Sequence, residues 1–504
     1  MKNIKLNPFK LAFFALLSAT FLMTNACRKQ EDTINYDINF VALSDDNLLL
    51  TLNANNPSAP LKSVNFTGLA AGEKILGIDY RPATGQLYGV GSSSRLYIIN
   101  AETGAARALG TAAFTPALNG TVVGFDFNPT VDRIRLVTNA GQNIRLNPET
   151  GTVAATDAAL NPGTPSVSEV AYTNNRAGVT TTTLYDIDVA TDKLYIQNPP
   201  NNGTLVEVGS LGVNAEGAAG FDITDNDLGL AALTVAGKSD LYVLNLATGG
   251  ALKIGNFPFS SKIIGLAVST QAVAYGVDAS NNLQIFNPYD PQPIAKAITG
   301  LQTGENILGI DMRPANGQLY ALGSTSRLYT LNASNGAATL VGTSPLTTTL
   351  NGTEFGFDFN PTGDRIRLVS NAGQNLRLHP ETGAVAAVDA ALNGGTPSVS
   401  AAAYTNNFAG ATTTVLYVLD ALNKKLYVQN PPNNGTLSLP VDLNGTFFST
   451  NGFDIGGTSG RAFAILSDEG TTKLYQLNLT TGALSEGKNL PFSMRRGLAI
   501  GLGF

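Results

Sequence analysis

The residues best placed to do chemistry are aspartates that recur. Asp79, Asp126 and Asp222 occupy one position on the first strand of successive units, and Asp311, Asp358 and Asp454 repeat them in the second half of the chain. In the remaining unit of each half, Ala171 and Ala403 take that place. Carboxylates gathered around a pocket can work as acid and nucleophile on a glycosidic bond. Catalytic pairs are singular, however, whereas this position repeats. A joining role, with each carboxylate hydrogen-bonded to turn amides or to an arginine, is therefore the expectation, and no catalytic residue is assigned. Arg133, Arg135 and Arg145, with Arg365, Arg367 and Arg377, form the second constellation. Strand alternation puts Arg133 and Arg135 on one face, where Asp126 or Asp132 is expected to pair with them in a structural network. An anion site is the alternative.

Other chemistry is thin. The one histidine, His379, stands where the first half has Asn147, and the one cysteine is Cys27. Residue types thus predict no zinc site, no histidine-dependent triad, no other metal site and no cofactor. Asp225, Asn226 and Asp227 have no acidic counterpart at Gly456, Gly457 and Thr458, and read as a turn. No GxxxxGK[ST] phosphate loop occurs.

The elements that position these residues are repeats. Residues 124–151, GFDFNPTVDRIRLVTNAGQNIRLNPETG, return at 356–383, an offset of 232, and residues 133–175 differ from 365–407 at eight of 43 positions. Within each half, units of about 45 residues carry four short strands joined by tight turns, which is the plan of a propeller blade. Residues 121–129, 133–139, 142–147 and 153–157 are the four strands of one unit. The Pro148–Gly151 turn places a glycine where positive φ is needed. Units at 75–110, 166–209 and 218–255 follow the same plan, with Asn-rich turns NPPNNG at 198–203 and 430–435. Leftover strands at both ends of each half (39–44, 48–53 and 61–67 with 263–269; 272–300 with 497–504) complete a fifth blade. An all-β tandem propeller of two five-bladed rings is expected; one ten-bladed ring, favoured locally by the short 269–272 junction, is the alternative.

The start of the chain carries an address. Lys2, Lys5 and Lys10 precede an apolar run at 11–23 and then Thr24-Asn25-Ala26-Cys27, the pattern of a secretory signal. Cys27 resembles the acylated cysteine of bacterial lipoproteins, although Thr24 stands where that motif usually has Leu. The expected division is a signal peptide at 1–26, a polar tether at 27–37, and propeller copies at 38–269 and 270–504. Losing the signal moves the formal charge from −6 to −9, which disfavours nucleic acid as a partner.

The stretches LGIDYRPATGQLYGVGSSSRLY (76–97), GFDFNPTVDRIRLV (124–137), AYTNN (171–175) and LYIQNPPNNGTLVEVG (194–209) resemble the bacterial DUF4394 family, a domain of unknown function often found in exported proteins. The resemblance covers almost all of 38–504 as two copies and brings no activity or catalytic residue. The combined expectation is an outer-membrane lipoprotein of the cell envelope, surface-exposed and held by Cys27. It would act as a non-enzymatic binding or scaffold module for glycan or envelope protein. A glycoside-active enzyme using the channel aspartates is the alternative.

Overall fold

The computed structural model describes residues 35–447, 449–468, 470–490 and 494–504; the expected signal peptide and Cys27 lie outside them. Residues 38–504 form one compact unit. Among the described residues the chain builds ten four-stranded antiparallel sheets and no α-helix. Burial follows strand position. The inner strand Val167–Tyr172 is buried along its whole length, while the outer strand Val153–Thr156 alternates between half-buried and exposed residues. An inner strand packs on both faces and so reads as continuous apolar sequence, whereas an outer strand keeps the two-residue alternation.

Four sheets of the first half are consecutive, at residues 75–109, 123–156, 167–210 and 220–256 (blades 1 to 4). Blade 5 joins Ile263–Val268 to Asn39–Ser44, Leu48–Asn53 and Lys62–Asn65 from the other end of the same half, with Phe40 opposite Val268. The second half repeats this with blades 6 to 9 at 307–341, 355–388, 401–442 and 449–489. Its closing blade 10 pairs Ala274–Asp278 with Met494–Ile500. Inner strands touch in two separate cycles of five: blades 1, 2, 3, 4, 5 and back to 1, and blades 6 to 10 and back to 6. The ten-bladed alternative is thereby corrected. Residues 263–268 pair with the front of their own half, so the short 269–273 segment crosses between rings rather than continuing a blade. Hydrophobic core lies between adjacent blades; Tyr88 and Val90 of blade 1, for example, pack on Phe125, Phe127 and Ile134 of blade 2.

The rings meet through the turn at residues 81–86. Tyr275 donates its hydroxyl to the Ala83 carbonyl (2.8 Å), and Gly503 N–H donates to Thr84 O (2.8 Å). Gly85, at φ 71°, lies flat against the Phe504 ring, which a Cβ would strike. The last four residues are therefore a docking segment rather than the strand end expected at 497–504. This contact buries an ion pair that the strand pattern did not reveal. Arg81 holds Asp132 of the next blade (Nε–Oδ1 2.8 Å), also bonds Glu149, and donates to Gly317 O across the ring interface (3.2 Å). The counterpart, Arg313 with Asp364 and Glu381, has a buried guanidinium but exposed partners: those carboxylate side chains are 40% and 66% exposed, against 1% and 9% for Asp132 and Glu149.

Equal sequence in unequal surroundings gives an unequal outcome. Removing one partner of a buried pair strands the other charge, so Arg81→Ala should lower stability by about 3–5 kcal/mol. Arg313→Ala leaves behind carboxylates that water can solvate, so it should cost clearly less than Arg81→Ala. Denaturant midpoints of the two variants check this, and equal losses would contradict the asymmetry.

Candidate functional site

Each ring brings its three aspartates together. One carboxylate oxygen from each of Asp79, Asp126 and Asp222 lies within 4.8 Å of the others, and Asp311, Asp358 and Asp454 form the same cluster. All six residues are buried, at most 2% exposed. Each reaches the backbone of the next inner strand. Asp79 Oδ2 accepts from Phe127 N–H (2.8 Å), Asp126 Oδ1 from Tyr172 N–H (3.1 Å), and Asp222 Oδ2 from Val268 N–H (2.6 Å). In the second ring Asp311, Asp358 and Asp454 accept from Phe359 (2.7 Å), Tyr404 (2.9 Å) and Ile500 (2.5 Å). The joining role expected of the repeated carboxylate is thus what the geometry displays, with backbone amides of the neighbouring strand as the donors.

A glycine two residues before each aspartate makes the reach possible. A Cβ on Gly124 would lie 3.0 Å from Val170 N, and one on Gly356 would lie 2.7 Å from Ala402 N. Gly-x-Asp is therefore one device: the glycine admits the next strand and the aspartate ties it. That spacing is visible in the sequence and was the available signal. Glu169 of blade 3 is a further acid turned toward the axis, accepting from Phe125 N–H (2.8 Å) and Val170 N–H (3.1 Å). Ala401 replaces it in the second ring, one of the eight differences between the repeats.

Burial raises the pKa of every one of these acids by disfavouring the charged form. Asp222 and Asp454 are pushed up to about 7. Asp79, Asp126, Asp311 and Asp358 are raised well above the usual range, first by burial and then by their neighbouring carboxylates. Glu169 is raised well above it as well, by burial first.

The arginines form a structural network, but with other partners than strand alternation implied. Asp132 belongs to Arg81, and Asp126 to the Tyr172 amide. Arg135 instead bonds Asp157 (2.7 Å) and Asn143 (2.7 Å), and reaches Asn201 of the next blade (2.8 Å). Arg145 grips the same Asp157 at 2.8 and 2.9 Å. Burial alone would raise Asp157, but the donors of Arg145 and Arg135 outweigh it and hold its pKa below the usual value. Arg367, Arg377, Asp389 and Asn433 repeat the arrangement. Arg133 and Arg365 each donate to the preceding carbonyl, Asp132 O (2.7 Å) and Asp364 O (2.8 Å), and Arg133 also lies 3.6 Å from Glu149. Around Arg365, Arg367 and Arg377 opens a recess of about 440 Å3, also lined by Asn360, Tyr404, Pro432 and Asn433.

The remaining expectations concern turns. The Asn-rich turns each contain a short 3-10 segment, Pro200–Asn202 and Pro432–Asn434, whose Asn201 and Asn433 side chains are spent on the arginines. Asp225, Asn226 and Asp227 lie in a turn, where Asp227 Oδ1 accepts from Asn174 N–H (2.9 Å). His379 sits in a hairpin turn and accepts from Glu381 N–H (3.3 Å), as Asn147 accepts from Glu149 N–H (2.8 Å). Gly151 has φ 72°, as its turn requires.

Fold and site together define a tandem five-bladed propeller with axial carboxylates. The chain belongs to the DUF4394 family, described as a domain of unknown function, whose model matches residues 48–267 and 282–499. None of the curated proteins matches it significantly. Among solved structures, an extracellular domain from B. thetaiotaomicron, described as part of a one component system, is similar at 12% identity and a TM-score of 0.25. That similarity covers 91% of this chain and 61% of the other, so the chain spans less than two thirds of its length.

The raised aspartates have a consequence for pH. An unfolded chain has lost its carboxyl protons by about pH 5, while folded Asp222 and Asp454 keep theirs up to about 7. Between these values the folded state binds more protons, so stability falls as pH rises. Thermal scans in the presence of a chelator, from about pH 5 to about pH 8, should show Tm declining. A Tm that rises across this window would contradict the assignment.

Proposed function

We propose that the chain is a non-enzymatic binding or scaffold module, exported and held at the cell envelope through Cys27, that meets a glycan or protein partner. The observation that carries this reading is the contrast between the two constellations. The axial aspartates are buried and spent on backbone amides, leaving a sugar ring no approach to them. The Arg365, Arg367 and Arg377 recess is open, polar and of ligand size, since small-molecule sites run to about 300–1,000 Å3. Arg367 and Arg377 are spent on Asp389, so Arg365 is the arginine left to meet a carboxylate or sulfate group, and an acidic glycan or an acidic protein loop fits best. The charged tether and signal at the start of the chain support the address.

A glycan array and an envelope pull-down with residues 38–504 test the proposal. A saturable ligand is expected, with Arg365→Ala weakening it about tenfold or more at unchanged Tm, as loss of one charge-assisted contact does. No ligand in either screen would overturn the binding reading. A glycan cleaved during the assay, with cleavage abolished by Asp126→Asn or Asp222→Asn, would establish the glycoside-active alternative instead.

A further inference from the structure

We propose that the axis of each ring binds one divalent cation of calcium size, held by Asp79, Asp126, Asp222 and the Asn175 amide in the first ring and by Asp311, Asp358, Asp454 and the Asn407 amide in the second. Residue types alone predicted no metal because they hold no histidine or cysteine set. The fold assembles a different set, made only of oxygen.

Two observations meet at this point. The first is spacing: oxygens from three separate strands, mutually within 4.8 Å, fit around one ion whose ligand distance is about 2.3–2.6 Å. The backbone N–H that an aspartate oxygen accepts leaves it a second lone pair.

The second observation is independent of the acids. Asn175, 3% exposed, brings its Nδ2 to 3.4 Å from Asp222 Oδ1, longer than an ordinary amide bond, and its Oδ1 has no partner. Asn407 occupies the matching place in the second ring, its backbone carbonyl against Gly457, three residues after Asp454. It is 1% exposed, and neither its amide oxygen nor its nitrogen has a partner. Buried amides are ordinarily satisfied, and one that is not calls for an explanation such as an ion. Turning either amide about its last torsion sets its oxygen toward the carboxylates, a repulsive contact that a cation between them makes attractive.

The small cavity of about 20 Å3 on the second axis is lined by Gly309, Gly356, Gly452, Gly497 and Ala401, two residues along the strands from the aspartates, so the ligand set is the carboxylates and the amide. Hard oxygen donors without nitrogen or sulfur select calcium or magnesium. Calcium tolerates irregular sets of 6–8 oxygens, whereas magnesium demands an octahedron at about 2.0–2.1 Å.

The test uses residues 38–504, stripped with EDTA and dialysed against Ca2+, with bound metal counted by mass spectrometry and Tm measured in parallel. Two ions per chain and a raised Tm are expected. Asp126→Asn, which keeps an oxygen for the Tyr172 amide, should leave one ion. Asn175→Ala with Asn407→Ala, which removes no strand-to-strand tie, should weaken both sites about tenfold or more and decides the matter if the aspartate variant does not fold. No retained Ca2+ with an unchanged Tm would overturn the proposal. So would Ca2+ that survives both sets of substitutions, and Mg2+ bound in preference would overturn the size assignment.

Discussion

A propeller buries one edge of every blade at its centre, and that edge cannot be left unpaired. The inner strand of each sheet has a hydrogen-bonded neighbour on one side only, yet its inward N–H groups are removed from water. Buried backbone donors must find acceptors, and here three of the five junctions in each ring supply one from an aspartate side chain. Phe127, Tyr172 and Val268 are bound this way in the first ring, and Phe359, Tyr404 and Ile500 in the second. The Gly-x-Asp pattern, the narrow axis, the clustered carboxylates and their raised pKa values all descend from this one requirement.

The duplication shows how context changes what identical residues do. Arg81 and Arg313 stand at matching positions, but docking of the rings buries the carboxylate partners of only the first. Glu169 and Ala401 differ, and the first axis carries an extra carboxyl where the second carries a small cavity. Glu381 bonds Arg313 as Glu149 bonds Arg81, but is largely exposed. Two copies of one fold thus offer two different surfaces, as a module that has kept its frame while its faces diverged would.

Local pattern carried most of the fold. The strands, the glycine turns and the exchange of end strands that closes each ring are all readable, because two-residue alternation and turn chemistry act over a few neighbouring residues. The recurrence of the aspartates is readable for the same reason, since each falls in the same place of its repeat. Their partners are not. Arg81 finds Asp132 and Glu149 in the following blade, 51 and 68 residues away, and the expected pairing of Arg133 or Arg135 with nearby Asp126 or Asp132 chose sequence neighbours instead. Asn175 looks like one more turn asparagine until the axis brings Asp222 beside it. Side-chain pairing across blades depends on how sheets are rotated against one another, which no single repeat encodes.

The dependence of the rings on carboxylate-to-amide ties is tested most directly at one amide. Hydrogen exchange of the peptide spanning 167–172 can be compared between the native chain, Asp126→Asn and Asp126→Ala. If the tie holds blade 3 to blade 2, protection in this peptide persists in the asparagine variant, which keeps an acceptor for Tyr172 N–H, and is lost in the alanine variant while distant blades stay protected. Unchanged protection in Asp126→Ala would mean that packing alone closes the ring, and would contradict the central role given to the aspartates.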